Sequence, residues 1–273
     1  MTILVLGATG KTGRRLVPRL RAAGAEVRAA ARTGEVRFDW SAPDTWPAAL
    51  GGARALYLVA PDDPAPTAAF VAQAAEAGVR RVVALSGRNL DKLDENVFPG
   101  MLTAERVVRE SGLAWTIIRA NNFDQNFDED LWRAPLLDGR LALPIGDVPE
   151  PFIDADDVAD VAAALLTGDG HEERVYELSG PRGLTFAEAT EIIARAAGRQ
   201  IRYVELSPAE YREELLAGGY PASAVDALDG MFAAHRDGIT AETTDGVRQV
   251  LGRDPVDFTA YAERAARAGA WSG

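Results

Sequence analysis

The chain has 273 residues, 47% of them hydrophobic and 26% charged, which is long enough for one large domain or for a nucleotide-binding domain with a smaller lobe. A net charge of −12 argues against a function that depends on neutralising nucleic-acid phosphates. The absence of cysteine excludes disulfides, thiolate catalysis and cysteine-bound zinc.

The two histidines, His171 and His235, are far apart in the sequence, and no metal site is predicted. No apolar stretch approaches the roughly 18 residues of a membrane span, and the first residues lack the basic start of a signal peptide. We therefore expect a cytoplasmic protein, a monomer or homodimer, whose partner is a small molecule rather than a nucleic acid or a membrane.

Short apolar runs alternate with helical patterns through the first 120 residues. The predicted strands cover residues 3–7, 26–32, 53–60, 80–87 and 114–120, and the helical patterns cover 13–24, 41–52, 65–78 and 100–112. Several of the runs are apolar on both faces, as in central strands of a parallel sheet. The alternation predicts βαβ units and therefore a doubly wound α/β fold.

After residue 120 this alternation is lost. Residues 121–139 are predicted as helix with aromatic side chains, followed by helices at 154–168, 185–198 and 207–219 and strands at 174–180 and 199–206. Thr185 and Glu188 have the spacing of a capping box. We assign residues 1–150, with 154–180 returning, to the nucleotide-binding domain, and residues 181–273 to a smaller, mostly helical lobe at the substrate cleft.

The stretch GATGKTG, residues 7–13, follows the first strand and precedes the first helix. Glycine permits the turn at Gly7, the approach of backbone amides to a pyrophosphate at Gly10, and close packing of helix on strand at Gly13. The phosphate then meets the positive end of the helix dipole. A plain strand-to-helix turn is the alternative, but the βαβ context favours a Rossmann-type dinucleotide site.

The end of the second strand discriminates between the two dinucleotides. A carboxylate there binds the ribose 2′-hydroxyl of NAD, whereas an arginine favours the 2′-phosphate of NADP. Arg32 and Thr33 occupy this position, and Glu35 follows three residues after Arg32. Together with the charge of Lys11 in the glycine loop, these residues favour NADP(H), with NAD(H) as the alternative.

Five segments of the chain together resemble the NmrA-like atypical short-chain dehydrogenase/reductases. They are residues 7–13, 38–61 (FDWSAPDTWPAALGGARALYLVAP), 77–87 (AGVRRVVALSG), 104–127 (AERVVRESGLAWTIIRANNFDQNF) and 151–166 (PFIDADDVADVAAALL). The second segment is most similar to the subgroup of festuclavine dehydrogenase. The resemblance implies an NADP(H)-type Rossmann domain, a smaller C-terminal lobe and a substrate cleft between them.

The resemblance also assigns residues to the cofactor. It implies that the pyrophosphate is lined by Gly7, Thr9, Gly10, Lys11 and Thr12, with Gly13 at the helix start, and that the adenosine end is bound by Arg32, Asp39 and Trp40. It places Val59, Ala60 and Pro61 behind the ribose and pyrophosphate, and Ser86 and Gly87 at the nicotinamide. As the alternative, Trp40 is a packing residue, and Val59 and Ala60 belong to the core of a strand.

The usual proton donor of short-chain reductases, a Tyr-x-x-x-Lys pair, is absent. Lysine occurs only at Lys11, in the glycine loop, and at Lys92, which has Arg88 four positions earlier. The lysine that some relatives carry in the helix at 100–112 is also missing. Either the reaction needs no strong protein acid, as in hydride addition to an iminium ion, or the chain does not catalyse.

Residues after the fifth strand are the candidates for the substrate cleft, because doubly wound sheets bind ligands at the carboxyl ends of their strands. The substrate-binding candidates are Arg88, Asn121, Phe123, Asn126 and Phe152, and the catalytic candidates are Asn122 and His235. Phe127 fits either stacking or core packing. Candidates for an acidic lip, which also fit a solvated surface, are Asp124, Asp128, Glu129 and Asp154.

The leading hypothesis is an NADPH-dependent oxidoreductase of a small cyclic or aromatic metabolite, an iminium, quinone or enone, in secondary metabolism. The first alternative is a non-catalytic redox sensor that binds NAD(P). The second is a tailoring enzyme, including an oxygen-dependent one, that acts on an aromatic natural product. The glycine loop and the aromatic, asparagine-rich cleft favour the first hypothesis.

Overall fold

The computed structural model describes residues 1–92 and 97–272. Within these residues the main sheet has seven parallel strands in the order β3-β2-β1-β4-β5-β6-β8. The strands are β1 (Thr2–Leu6), β2 (Glu26–Ala31), β3 (Val36–Arg37), β4 (Ala55–Val59), β5 (Arg81–Gly87), β6 (Ala114–Ala120) and β8 (Arg174–Leu178). The strand order reverses between β1 and β4, which is the switch point of a doubly wound sheet. The predicted Rossmann-type α/β fold is confirmed.

Helices cover both faces of this sheet. They are α1 (Gly13–Ala22), α6 (Ala155–Thr167) and α10 (Gly246–Leu251) on one face and α2 (Trp46–Leu50), α3 (Thr67–Glu76) and α4 (Pro99–Glu110) on the other. In β1, Ile3 and Val5 pack on the first face, and Leu4 and Leu6 on the second. A strand buried on both faces has to be apolar throughout, which explains the continuous apolar run near the start of the chain.

The second lobe has its own small sheet and an aromatic core. Its strands are β7 (Arg140–Leu143) and β9 (Arg202–Glu205), and its helices are α5 (Arg133–Leu137), α7 (Phe186–Ala197), α8 (Pro208–Ala217), α9 (Ala222–Arg236) and α11 (Phe258–Arg267). Thr185 and Glu188 form the predicted capping box at the start of α7. None of the helices in the described part of the chain has the length and apolarity needed to span a bilayer.

The prediction of a helix over residues 121–139 is wrong. The segment contains a 3-10 turn at Asp124–Asn126 and the five-residue helix α5. The backbone before the turn is extended because Ile153 donates to the carbonyl of Asn122 at 2.9 Å and accepts from the amide of Asp124 at 2.9 Å. This pairing depends on a distant part of the chain and leaves no local pattern.

The two lobes exchange chain segments. Several residues between Phe127 and Phe152 pack in the aromatic core of the second lobe, although the predicted lobe comprises residues 181–273. Conversely, Val247 of α10 is buried in the core of the main sheet. The walls of the space between the lobes therefore come from several distant stretches of sequence.

Asp124 lies between the lobes with its side chain fully buried, so it is not part of an acidic lip. Neither carboxyl oxygen has a hydrogen-bond partner among the described residues. Burial raises the pKa of Asp124 well above its usual range, and the nearby carboxylates of Asp154 and Asp157 raise it further. The neutral acid is therefore the form that the fold accommodates. Asp154 is also buried, where it caps α6 and pairs with Arg264.

We expect the Asp124→Asn substitution to stabilise the protein more at pH 8 than at pH 5. The unfolded chain releases this proton near pH 4, whereas the folded chain retains it to a higher pH, so the acid costs folding free energy as the pH rises. The amide cannot ionise and does not have this cost. Urea unfolding of both proteins at the two pH values measures the difference.

The Asp257→Asn variant is the matched control. The pKa of Asp257 is lowered to about 2, first by its hydrogen bond with Arg182. The stability that this carboxylate contributes is complete above about pH 4 and is lost only as the pH falls toward 2, so its replacement costs the same at pH 5 and pH 8. If the Asp124→Asn substitution changes the free energy of unfolding equally at pH 5 and pH 8, the result contradicts the interpretation that Asp124 is a protonated buried acid.

Candidate active site

The glycine loop brings the start of α1 directly against the end of β1. Gly7 has φ +63°, and the amide of Gly10 donates to the carbonyl of Gly7 at 2.8 Å. A Cβ atom at Gly13 would lie 2.1 Å from the Gly7 carbonyl oxygen, so no larger residue fits without moving the helix. A Cβ atom at Gly10 would lie 3.2 Å from the same oxygen, so all three positions favour glycine.

The loop presents unpaired backbone amides at the start of α1. Among the described residues, the amides of Thr9, Lys11 and Thr12 donate to no backbone carbonyl. Unpaired amides at the positive end of a helix dipole bind phosphate groups. The Thr12 side chain is buried and accepts a hydrogen bond from the Tyr57 hydroxyl at 3.1 Å, so only its backbone can contact a pyrophosphate.

The predicted adenosine end is rich in exposed cationic groups. Arg32 follows β2 directly, and Arg37, at the end of the adjacent β3, is paired in register with Ala31. Hydrogen bonds from the Ser41 hydroxyl and amide lower the pKa of Asp39, and the charges of Arg32 and Arg37 lower it further. An anionic 2′-phosphate fits this environment. Arg37 is an addition that the sequence did not suggest.

The other residues predicted around the adenosine have local partners. Glu35 forms an ion pair with Arg21 at 2.6 Å, which occupies the carboxylate that would otherwise bind a ribose hydroxyl. Trp40 is half-buried and packs edge-to-face on Phe38 and Phe70, with ring centroids 5.1 and 4.9 Å away. Val59, Ala60 and Pro61 are half-buried at the end of β4, beside the glycine loop.

A cleft of about 450 Å³ lies at the carboxyl ends of β5 and β6. It brings together nine of the predicted residues, which are Lys11, Ser86, Gly87, Arg88, Asn121, Asn122, Phe123, Asn126 and His235. Further lining residues, which the sequence did not single out, include Leu90, Phe98, Met101, Asp130, Leu131, Trp132, Met231, Phe232, Ile239 and Thr240. Half of them are apolar residues on or near α4 and α9, where the sequence pattern does not distinguish a cleft from a core.

Phe152 does not reach the cleft, and its predicted contact with substrate is wrong. It is 2% exposed and packs edge-to-face on Phe127 and Phe186, with ring centroids 5.1 and 5.0 Å away. Phe127 is fully buried in the same cluster, so core packing is the correct reading of both rings. Phe123 is half-buried and lines the cleft.

Arg88 lines the cleft but is buried, and neighbouring protein groups hold its guanidinium. Nη1 donates to the Asn121 side chain at 2.8 Å and to the Glu242 carbonyl at 2.7 Å, while Nε lies 3.5 Å from Glu177. These bonds fix the loop after α9 to the end of β6. Its predicted role in binding a substrate oxygen stays a prediction.

His235 lies in the wall of the cleft, but both ring nitrogens face protein oxygens. Nδ1 is 3.1 Å from the carboxylate of Glu150, and Nε2 is 3.2 Å from the carbonyl of Val148. A proton donor needs a nitrogen within reach of the substrate, and both nitrogens are here engaged by the protein, so the role of His235 as proton donor stays a prediction. Asn122 differs, because its side chain has no hydrogen-bond partner in the described part of the chain.

Lys11 extends from the glycine loop into the cleft. Its ammonium donates to Asn126 at 2.7 Å and to Asp130 at 2.6 Å. Next to it, Glu129 pairs with Arg15 at 2.6 Å. The loop predicted to hold the cofactor and the cleft predicted to hold the substrate therefore share Lys11. Glu129, one of the carboxylates proposed for an acidic lip, is already engaged in an ion pair.

The comparisons with known proteins agree with this geometry. A model of the NAD(P)H-binding family matches residues 7–169. The chain is 34% identical to an NAD(P)H azoreductase of Xenophilus azovorans over 97% of this chain and 98% of that protein. It is 31% identical to a festuclavine dehydrogenase of Aspergillus fumigatus, with 97% of each protein covered.

Two solved structures have the same fold. Triphenylmethane reductase of Citrobacter sp., complexed with NADP(H), superimposes with a TM-score of 0.82 at 21% identity, covering 97% of this chain and 100% of that one. NmrA, a negative transcriptional regulator solved with NAD, superimposes with a TM-score of 0.75 at 18% identity, covering 98% and 96%. The chain therefore belongs to the NAD(P)H-binding family, as an NAD(P)H-dependent oxidoreductase with the fold of the NmrA-like proteins.

Proposed function

We propose that the chain transfers hydride from NADPH to a small, flat, cyclic or aromatic acceptor, such as an iminium ion, a quinone or an enone. The observation that carries this proposal is the cleft of about 450 Å³, which reaches the glycine loop at Lys11 and is lined mainly by apolar and aromatic side chains. A cleft of this size and lining suits a compact organic ligand.

The polar groups of the cleft support these classes of acceptor. No tyrosine is present among the described lining residues, and the nitrogens of His235 are occupied. The amide of Asn122 can orient an acceptor but cannot transfer a proton. Hydride addition to an iminium ion gives a neutral amine without a proton, and a reduced quinone can take its proton from water, so positioning supplies most of the catalysis.

The charges in the cleft favour a neutral or cationic acceptor. Lys11 lies 2.6 Å from Asp130, and Arg88 lies 3.5 Å from Glu177, so these cations already face carboxylates. An anionic acceptor would have to displace one of them. The relatives include an azoreductase and a festuclavine dehydrogenase, and on that basis we extend the proposal to a role in secondary metabolism.

Isotope transfer tests the proposal. Purified protein is incubated with NADPH carrying deuterium on one face of C4 and with a panel of quinones, enones and cyclic iminium ions, and the products are examined by mass spectrometry. We expect deuterium from one face in the product of at least one acceptor class. The Gly13→Val variant is the control, because its side chain collides with the Gly7 carbonyl and prevents the cofactor from docking.

Two results contradict hydride transfer. Tight NADPH binding with no labelled product from any class favours the redox sensor. A product that forms without NADPH favours the tailoring enzyme.

We propose that Arg32 provides the preference for NADPH through the 2′-phosphate. The Arg32→Glu variant loses a charge-assisted hydrogen bond and adds a negative charge beside the 2′-phosphate. We therefore expect its KM for NADPH to rise by about 10- to 100-fold and its KM for NADH to stay within about threefold. Initial rates with each cofactor measure the effect. Arg267→Glu, the same charge change on the exposed face of α11, should leave both values unchanged. An unaltered cofactor preference in Arg32→Glu contradicts the assignment.

A further inference from the structure

Glu150 is a fully buried carboxylate that no part of the proposed hydride transfer uses directly. Its backbone pairs with Leu184 through two hydrogen bonds of 2.9 and 3.0 Å, which fix its position in the second lobe. One carboxylate oxygen accepts from the Asn121 side chain at 2.8 Å and from the Asn122 amide at 3.3 Å. The other accepts from the Thr240 hydroxyl at 2.7 Å and lies 3.1 Å from Nδ1 of His235.

These four partners belong to two opposite walls of the cleft. Asn121 and Asn122 follow β6, whereas His235 is near the end of α9 and Thr240 is in the loop after it. All four line the cleft, but Glu150 lies behind them. A single carboxylate therefore bonds to both walls from within the protein.

We propose that Glu150 is a positioning residue that sets the separation of the two cleft walls and thereby the affinity for the acceptor. The inference rests on the proposed function, since it takes the cleft as the acceptor site. Burying a carboxylate is costly unless its oxygens are satisfied, and here four donors surround it. Removing the carboxylate leaves those donors unpaired and weakens the link between the α9 wall and the β6 wall, which then depends on the Arg88 bonds and on the bond from Asn121 to the Thr240 carbonyl.

The hydrogen bonds that His235 can donate depend on which of its two ring nitrogens carry a proton. Nδ1 faces the Glu150 carboxylate and Nε2 faces the Val148 carbonyl, and both are acceptors. Only an imidazolium donates from both nitrogens. The nearest further charges on this network are Arg88, which donates to Asn121, and Glu177, which is 3.5 Å from Arg88.

Replacing the carboxylate by an amide changes this requirement. In the Glu150→Gln variant the new N–H group can donate to Nδ1 only if the imidazole is neutral. A neutral ring accepts that bond and still donates to Val148. Glu150→Ala removes the contact altogether.

Binding of 1,4-naphthoquinone, followed by quenching of tryptophan fluorescence in the presence of NADP⁺, measures the affinity of the cleft. We expect Glu150→Gln to bind within about threefold of the wild type, because an amide can keep hydrogen bonds to both walls, and Glu150→Ala to bind about tenfold more weakly. Affinity for NADPH should stay within about twofold, because the glycine loop does not contact Glu150.

The Asp157→Asn variant controls for general destabilisation. Asp157 is also fully buried and accepts from Arg253 and the Val256 amide, both at 2.6 Å, but it does not line the cleft. We expect it to lower Tm without weakening naphthoquinone binding. Hydrogen exchange of the amides at 237–242 should accelerate in Glu150→Ala and not in Asp157→Asn.

The exchange measurement needs no turnover, so it separates this inference from the proposed reductase activity. If no hydride transfer is detected but amide exchange at 237–242 is faster in Glu150→Ala, the result supports the positioning role and contradicts only the reductase activity. Unchanged exchange at 237–242 with unchanged quinone affinity overturns the positioning role. Equal losses of quinone and NADPH affinity also overturn it, because they indicate general destabilisation.

Discussion

The close contact between α1 and the end of β1 is the constraint on which the rest of the site depends. A Cβ atom at Gly13 would lie 2.1 Å from the Gly7 carbonyl, so only glycine allows the helix to begin there. The loop that makes this contact carries the unpaired amides of Thr9, Lys11 and Thr12, and its Lys11 side chain donates to Asn126 and Asp130. Cofactor loop and cleft are continuous for that reason.

The cleft owes its shape to the exchange of segments between the lobes. Residues before 150 pack in the second lobe, and α10 returns to the main sheet, so the two lobes meet along walls drawn from distant parts of the chain. Several polar groups at this junction are paired with one another. The two walls are joined by the bond between Arg88 and Glu242 and by the bonds of Glu150 to Asn121 and Thr240. The interior of the cleft remains largely apolar. An apolar interior with few proton donors is consistent with a reaction in which orientation matters more than acid catalysis.

The parts of the fold that depend on neighbouring residues could be predicted from the sequence. The apolar run of β1, the glycine spacing and the capping box of α7 act over a few residues, and each has a local physical signature. The pairing of β7 with β9 and the extended backbone at Asn122 depend on contacts with remote segments, which a local pattern does not record.

The same limit applies to side chains. Arg88 and His235 have suitable chemistry and lie at the cleft, but their partners are the carbonyl of Glu242 and the carboxylate of Glu150, far away in the sequence. Phe152 has an aromatic ring that could stack on a substrate, but it is buried in the core. Met101 and Met231 reach the cleft from helices whose apolar faces resemble ordinary core. Residue type can be read from the sequence, whereas its partners require the fold.

The most direct test of the proposed reductase site is a crystal structure with NADP⁺ and a bound, unreactive acceptor analogue. Nicotinamide C4 is expected at the ends of β5 and β6, beside Ser86 and Asn122, and about 3–3.5 Å from the reacting atom of the analogue. A nicotinamide that points away from this cleft, or an analogue bound elsewhere, would contradict it.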